Sequence, residues 1–184
     1  MKQILLLGVY LGLINVALSV IVYVFDLAVT SMFAGAIIGI VIFFINVLLL
    51  VIFGRKIRVV FCSGTIKYKH AFLNAIIMVV VMALMSNVYG YAFYKWIDPG
   101  YQEHVKNETA QNLAYFLNKQ GIPEKEIDKK IEKIIDQPDL SAEKLVGHEF
   151  LRDLGFGLIF SLIAAAMVKK NPDPFSEVPN IEEV

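Results

Sequence analysis

The chain has 184 residues, room for one domain, and 57% of them are hydrophobic, with a mean hydropathy of +0.62; an ordinary soluble domain is roughly 45–50% apolar. Its 17 basic and 17 acidic residues cancel, so charge points to no polyanionic partner and no nucleic acid. The single cysteine, Cys62, excludes an internal disulfide, and His70, His104 and His148 share no ligand-like spacing, so neither a metal nor another cofactor is expected.

The first uncharged apolar run is Ile4–Phe25, and about 20 helical residues cross a hydrocarbon core. A signal peptide is the rival reading, because Lys2 precedes the run. Signal cores are about 7–15 residues long, whereas this one continues past Ala17-Leu18-Ser19 into Val20, Ile21 and Val22. The second run, Ala28–Phe53, follows after only Asp26-Leu27, which predicts a tight helical hairpin. The third starts near Ala71 and ends in Tyr89, Tyr91, Phe93, Tyr94 and Trp96, aromatic residues of the kind that anchor at headgroup level. Asp98-Pro99-Gly100 stops it. The fourth run, Leu154–Val168, is too short alone. Starting it near Gly147-His148 repairs the length and brings Glu149, Arg152 and Asp153 into the interfacial turns, paired at i, i+3 and i, i+4. Lys169-Lys170 closes it. The fold class is therefore all-α: an integral membrane protein with four spans, about 4–25, 28–53, 71–96 and 148–168.

Basic residues orient the spans. Arg55, Lys56, Arg58, Lys67 and Lys69 fill the link between spans two and three, and Lys2 and Lys169-Lys170 mark the same side. Both termini are expected in the cytoplasm, with residues 99–147 outside. That loop is patterned. Following Tyr101 and Val105, Leu113, Phe116 and Leu117 share a helical face, Gly121 breaks that helix, and Pro123 precedes a second stripe of Ile127, Ile131, Ile134 and Ile135. An amphipathic helical insertion follows, with three possible placements: closed on itself, on the membrane surface, or capping the bundle, which is preferred. Ser141 offers half a capping box for a short third helical piece. Residues 171–184, acidic and rich in proline, read as a flexible cytoplasmic tail.

Ionisable residues within a membrane would be the strongest hint of transport or catalysis, and none lies centrally in the four spans. The embedded polar residues are instead Asn15, Ser19, Asn46, Asn74, Ser86, Asn87 and Ser161. The asparagines, Asn15, Asn46, Asn74 and Asn87, are read first as hydrogen-bonding glue between helices. Gly8-Gly12 and Gly35-Gly39 form two GxxxG patterns, read as packing of helices one and two, and Gly155 and Gly157 relieve crowding in helix four. Met78, Met82 and Met85 share one face as filler. Asp26 at a span boundary, with His148, Glu149, Arg152 and Asp153, could form an outer-mouth polar cluster; the plainer reading is a solvated interfacial turn. No nucleophile elbow, phosphate loop, zinc-protease motif or paired intramembrane aspartates occur, so no catalytic residue is assigned and an enzyme is not expected.

Several ordered pieces carry a resemblance: Leu7-Gly8-Val9-Tyr10-Leu11-Gly12, Lys69-His70-Ala71-Phe72, Tyr94 to Tyr101, and Ala164 to Lys170 followed by Pro172-Asp173-Pro174-Phe175. Together the chain resembles an uncharacterised family of small inner-membrane proteins from Bacteroidota, known only as a domain of unknown function. The resemblance implies a bacterial inner membrane and four spans, with no substrate, cofactor or catalytic residue. The leading functional expectation is a non-enzymatic accessory or scaffold subunit that binds another membrane protein through the insertion or the tail. The alternative is a small transporter or lipid-handling protein acting as a homo-oligomer.

Overall fold

A computed structural model describes residues 1–31 and 33–171. Apart from Asn171, the expected tail over residues 171–184 lies outside the described residues. Six α-helices follow in order: α1 (Lys2–Val24), α2 (Ala34–Phe61), α3 (Tyr68–Ala92), α4 (Tyr101–Lys119), α5 (Glu124–Ile135) and α6 (Ala142–Val168). A π-helical turn, Phe93–Ile97, extends α3. The described residues contain no strand, only a backbone bridge between Ile66 and Lys170. Four helices, α1, α2, α3 with its π turn, and α6, are long and apolar enough to cross a membrane, which makes the chain a multi-pass membrane protein.

Two boundaries differ from the sequence expectation. The link between α1 and α2 spans residues 25–33 instead of Asp26-Leu27, so the second span is Ala34–Phe61 and not 28–53. Asp26 takes a positive φ of 51°, and the Thr30 hydroxyl donates to the Asp26 carbonyl at 2.9 Å. Val29 is buried there, because α4 lies over the link: Asn112 Nδ2 donates to the Val29 carbonyl at 2.6 Å, and the Phe33 and Phe116 rings meet edge-on. Covered apolar residues need not be helical, so hydropathy ran on through a loop. At the other boundary, the short piece expected after Ser141 and the span expected at 148–168 are one continuous helix, Ala142–Val168. At 1.5 Å per residue it is roughly 40 Å long.

The packing order is α1–α3–α6–α2. A Cβ on Gly8 would meet Met78 and Val81, and one on Gly12 would meet Met85, so α1 lies parallel to α3. Gly8 and Gly12 thus pack against α3 and not α2, contrary to the expected hairpin contact. Small residues let backbones approach, and the tethered neighbour was not the helix that used them. Gly35 meets only the Ala28 carbonyl, and Gly39 and Gly155 meet nothing within 4 Å, whereas Gly157 lies directly against Val79 of α3 and Gly54 against Val168. Leu11, Leu50, Met78, Val79 and Ala164 are buried at the centre, with Met78 and Met82 as core filler. At the end carrying Lys2, Arg55, Lys67 and Lys169, Arg58 Nη1 donates to the Val168 carbonyl at 2.8 Å and Ile66 exchanges backbone hydrogen bonds with Lys170. We call this the basic end and the opposite one, which carries α4 and α5, the hairpin end.

Where α1 and α2 do approach, an amide pair joins them. Asn15 Nδ2 donates to Asn46 Oδ1 at 2.8 Å, and Asn46 Nδ2 returns to Asn15 Oδ1 at 3.0 Å. Both amides also donate to their own helix, at the Leu11 and Ile42 carbonyls. Replacing Asn46 by leucine leaves Asn15 Oδ1 without its donor and is expected to cost about 1–2 kcal/mol. Thermal melting in detergent checks it: N15L/N46L should regain most of the loss, whereas additive losses would mean the two amides are not coupled.

Candidate functional site

The same physics that makes Asn15 and Asn46 pair makes any further polar group in a span unusual. Toward the hairpin end these groups converge. On α3, Ser86, Asn87, Gly90 and Tyr94 follow helical spacing onto one face. The π turn that carries Tyr94, closed by Asp98 N–H donating to the Phe93 carbonyl at 2.9 Å, widens the helix, and Phe93 is buried within it. On α6, Glu149, Arg152 and Asp153 border the same space, with Glu149 against Gly90 and Tyr94. From α1 come Asn15, Ser19 and Tyr23.

These residues surround a cavity of about 310 Å³. It reaches from Tyr101 and Glu149 at the rim to Asn15, and the eight residues from Asn15 to Tyr23 correspond to about 12 Å of helix. Gly90 makes room for Glu149, whose Oε2 would lie 3.4 Å from an added Cβ. Tyr94 donates its hydroxyl to Glu149 Oε1 at 2.9 Å. Arg152 Nη2 lies 3.5 Å from Asp153 Oδ1, longer than a close charge-assisted contact of about 2.7–2.9 Å. Asn87 Nδ2 donates to the Ala83 carbonyl at 2.7 Å, while its buried Oδ1 has no partner among the described residues. Tyr23, Tyr101 and Phe93 meet edge-on at the rim with centroids 4.8–5.4 Å apart. Burial first, and the Asp26 carboxylate second, hold the Tyr101 phenol above its ordinary pKa.

A second, apolar space adjoins the first. A groove of about 770 Å³ runs between α2 and α6, with Gly35, Gly39 and Phe43 on one wall and Phe156 and Phe160 on the other. Ile42, Met82, Arg152 and Asp153 line both spaces. The polar cavity and the apolar groove therefore share a wall whose charged members are Arg152 and Asp153. Gly39, with no neighbour within 4 Å, keeps the groove open.

The sequence-selected residues divide into groups. Asn15, Asn87, Glu149, Arg152 and Asp153 share the cavity. Asn46 is buried behind Asn15 and bonded to it. Asn74 lies toward the basic end beside Cys62 and His70. Two members of the expected outer-mouth cluster fall outside it. His148 is exposed and does not line the cavity; one residue before Glu149, it points to a different face of α6. Asp26 instead pairs with His104 Nε2 at 3.1 Å, beside Tyr23, whose hydroxyl donates to Asp98 at 3.1 Å. Tyr94, which hydropathy marks only as part of a headgroup belt, and Tyr23 and Tyr101, which no sequence motif marks, join the site through the fold, where the Tyr23 and Tyr94 phenols meet the Asp98 and Glu149 carboxylates. Among the described residues, no three His, Cys, Asp or Glu side chains are grouped to hold a metal.

Among known proteins, residues 6–170 match the family described as a protein of unknown function, DUF4199. No curated protein and no solved structure matches the chain.

Proposed function

We propose, from the premise that this chain belongs to the DUF4199 family of proteins of unknown function, that it binds a membrane amphiphile, with the head group in the polar cavity and the acyl chain in the groove between α2 and α6. The observation that carries this reading is the shared wall: a polar cavity at the end of the spans adjoins an apolar groove, with Arg152 and Asp153 at the junction. An amphiphile has the same order of chemistry, and pockets that combine apolar walls with a few convergent polar groups are the usual form of a small-molecule site. The protein is then a lipid-handling protein of the bacterial inner membrane and not an enzyme. The basic residues at one end support a cytoplasmic position for that end and a periplasmic one for α4 and α5.

This reading takes precedence over an accessory subunit docking through the insertion, because the insertion spends its apolar stripe internally. Ile127 is buried and Ile131 and Ile134 are half-buried in a hairpin whose two helices pack together, and α4 also leans on the 25–33 link. Of the stripe on α5, Ile135 alone is exposed, at 49%, a single side chain and not a continuous apolar face for a partner.

Photolabelling tests the proposal. A phospholipid with a diazirine in its acyl chain, incorporated into vesicles with the purified protein, should label Phe156 and Gly39 saturably. Excess unlabelled lipid should compete that labelling away. Val88, exposed on α3, provides the bulk-lipid control, whose labelling rises linearly with probe. Linear, uncompeted labelling at Phe156 would remove the site.

A further inference from the structure

Resting on the amphiphile reading above, we propose that the head group is a zwitterion ending in a primary ammonium, with an anionic phosphoester at Arg152 and the ammonium at Glu149 and Asn87. The balance of donors and acceptors in the cavity is the first reason. Glu149 and Asp153 are both carboxylates, and among the described residues Arg152 is the one cationic side chain lining the cavity. Arg152 already faces Asp153, which leaves Glu149 with a phenol, Tyr94, as its partner and no cation. A carboxylate in a span without a compensating cation is costly, so a cationic ligand group is favoured there over a neutral or anionic one.

Asn87 supplies an independent reason. Its side chain is 9% exposed in the cavity wall, and its Oδ1 finds no donor among the described residues. Buried acceptors are rarely left unpaired, and a ligand N–H answers this one. A primary ammonium carries three such donors, enough for Glu149 and Asn87 together. A quaternary ammonium carries the charge but no N–H. The Tyr89 and Tyr94 rings nearby add faces suited to a cation without deciding between the two.

The position of Arg152 fixes the order of the ligand. It lines both the cavity and the groove, and its side chain is 60% exposed. Its guanidinium has five donors in a planar fork suited to a phosphate, and the 3.5 Å contact to Asp153 leaves several of them free. From groove to cavity the protein presents apolar wall, then the Arg152 guanidinium with Asp153 beside it, then the Glu149 carboxylate and the Asn87 amide. An aminoalkyl phospholipid presents acyl chain, phosphate, then ammonium.

Competition against the diazirine phospholipid tests this in the same vesicles. Phosphatidylethanolamine should displace the label from Phe156 at a mole fraction at least tenfold lower than phosphatidylglycerol, and at least threefold lower than phosphatidylcholine, its N-trimethylated counterpart. E149Q, which keeps the acceptor for Tyr94, should reduce the preference over phosphatidylglycerol to about twofold while labelling stays saturable. R152Q should weaken all three lipids together. Equal competition by all lipids would overturn the head-group inference and leave the amphiphile site standing. So would phosphatidylcholine matching phosphatidylethanolamine, or a preference that survives E149Q. Labelling that no lipid displaces would remove the site itself.

Discussion

Replacing Gly157 by alanine is expected to lower the melting temperature sharply, and replacement by valine to abolish monodisperse folding in detergent. The glycine sits at the centre of the α3–α6 contact, and a Cβ built there would overlap Val79 Cγ1. Val79 is 2% exposed and belongs to the main core with Met78, Met82 and Phe160. It cannot easily rotate away, because a β-branched side chain in a helix has one strongly preferred χ1. Forcing an extra methyl into a packed core costs typically about 1–3 kcal/mol, and valine adds two methyls beyond that. Fluorescence-detected size exclusion after heating provides the readout. Gly155, two residues earlier with nothing within 4 Å, provides the control: G155A should melt no lower than the wild type. V79A/G157A should recover at least half of the loss, since it removes the overlapping methyl. A wild-type melting temperature for G157A would mean that α6 does not meet α3 at this register.

The architecture was legible to the extent that hydropathy alone decides it. An uncharged stretch such as Ile4–Phe25 announces a span whatever surrounds it, because lipid and protein reward the same side chains. For that reason the pairing order was not legible. Gly8 and Gly12 mark a face where a backbone comes close, but nothing local says whether α2 or α3 approaches. Chain proximity favoured α2; the parallel packing of α1 on α3 overruled it. The link at 25–33 was lost for a related reason: Val29 is apolar and buried where α4 lies over the link, and hydropathy reads cover and helix alike. In α4 and α5, by contrast, the polar surroundings of Leu117 and Ile127 left a visible stripe, and Gly121 and Pro123 fell between the two helices.

The cavity was legible residue by residue and not as a whole. Asn15 and Asn87 were visible as amides in spans, and Glu149, Arg152 and Asp153 as charges at the start of a weak span. That they line one space depends on α1 packing against α3 and on α6 beginning at Ala142, neither of which a single sequence states. The length of α6 also explains why its first turns carry charge: Glu149 and Asp153 face the cavity, so hydropathy underestimates how far the helix extends. His148, one residue away, faces elsewhere, and a cluster drawn from adjacency alone could not separate them.

Filling the groove should abolish amphiphile binding without harming the fold, and Gly39 is the position at which the two effects separate. It lies in the groove wall with nothing within 4 Å of an added Cβ. G39F therefore meets no backbone and needs no core rearrangement. It also removes a helix-interior glycine, and phenylalanine, though a poorer helix former than alanine, favours the helix over glycine by about 0.3–0.5 kcal/mol. The phenyl ring projects toward the space bounded by Phe43, Phe156 and Phe160, where the proposal places an acyl chain. The expected result is a melting temperature equal to or above that of the wild type, with at least a tenfold loss of saturable labelling at Phe156. Two outcomes would argue against the site: unchanged saturable labelling in G39F, which would place the acyl chain elsewhere, or a melting loss as large as that of G157A, which would mean the groove is closed by packing. The comparison with Gly157 gives the experiment its force, since the two glycines differ in what surrounds them: one is pressed against α3, the other faces open space along α6.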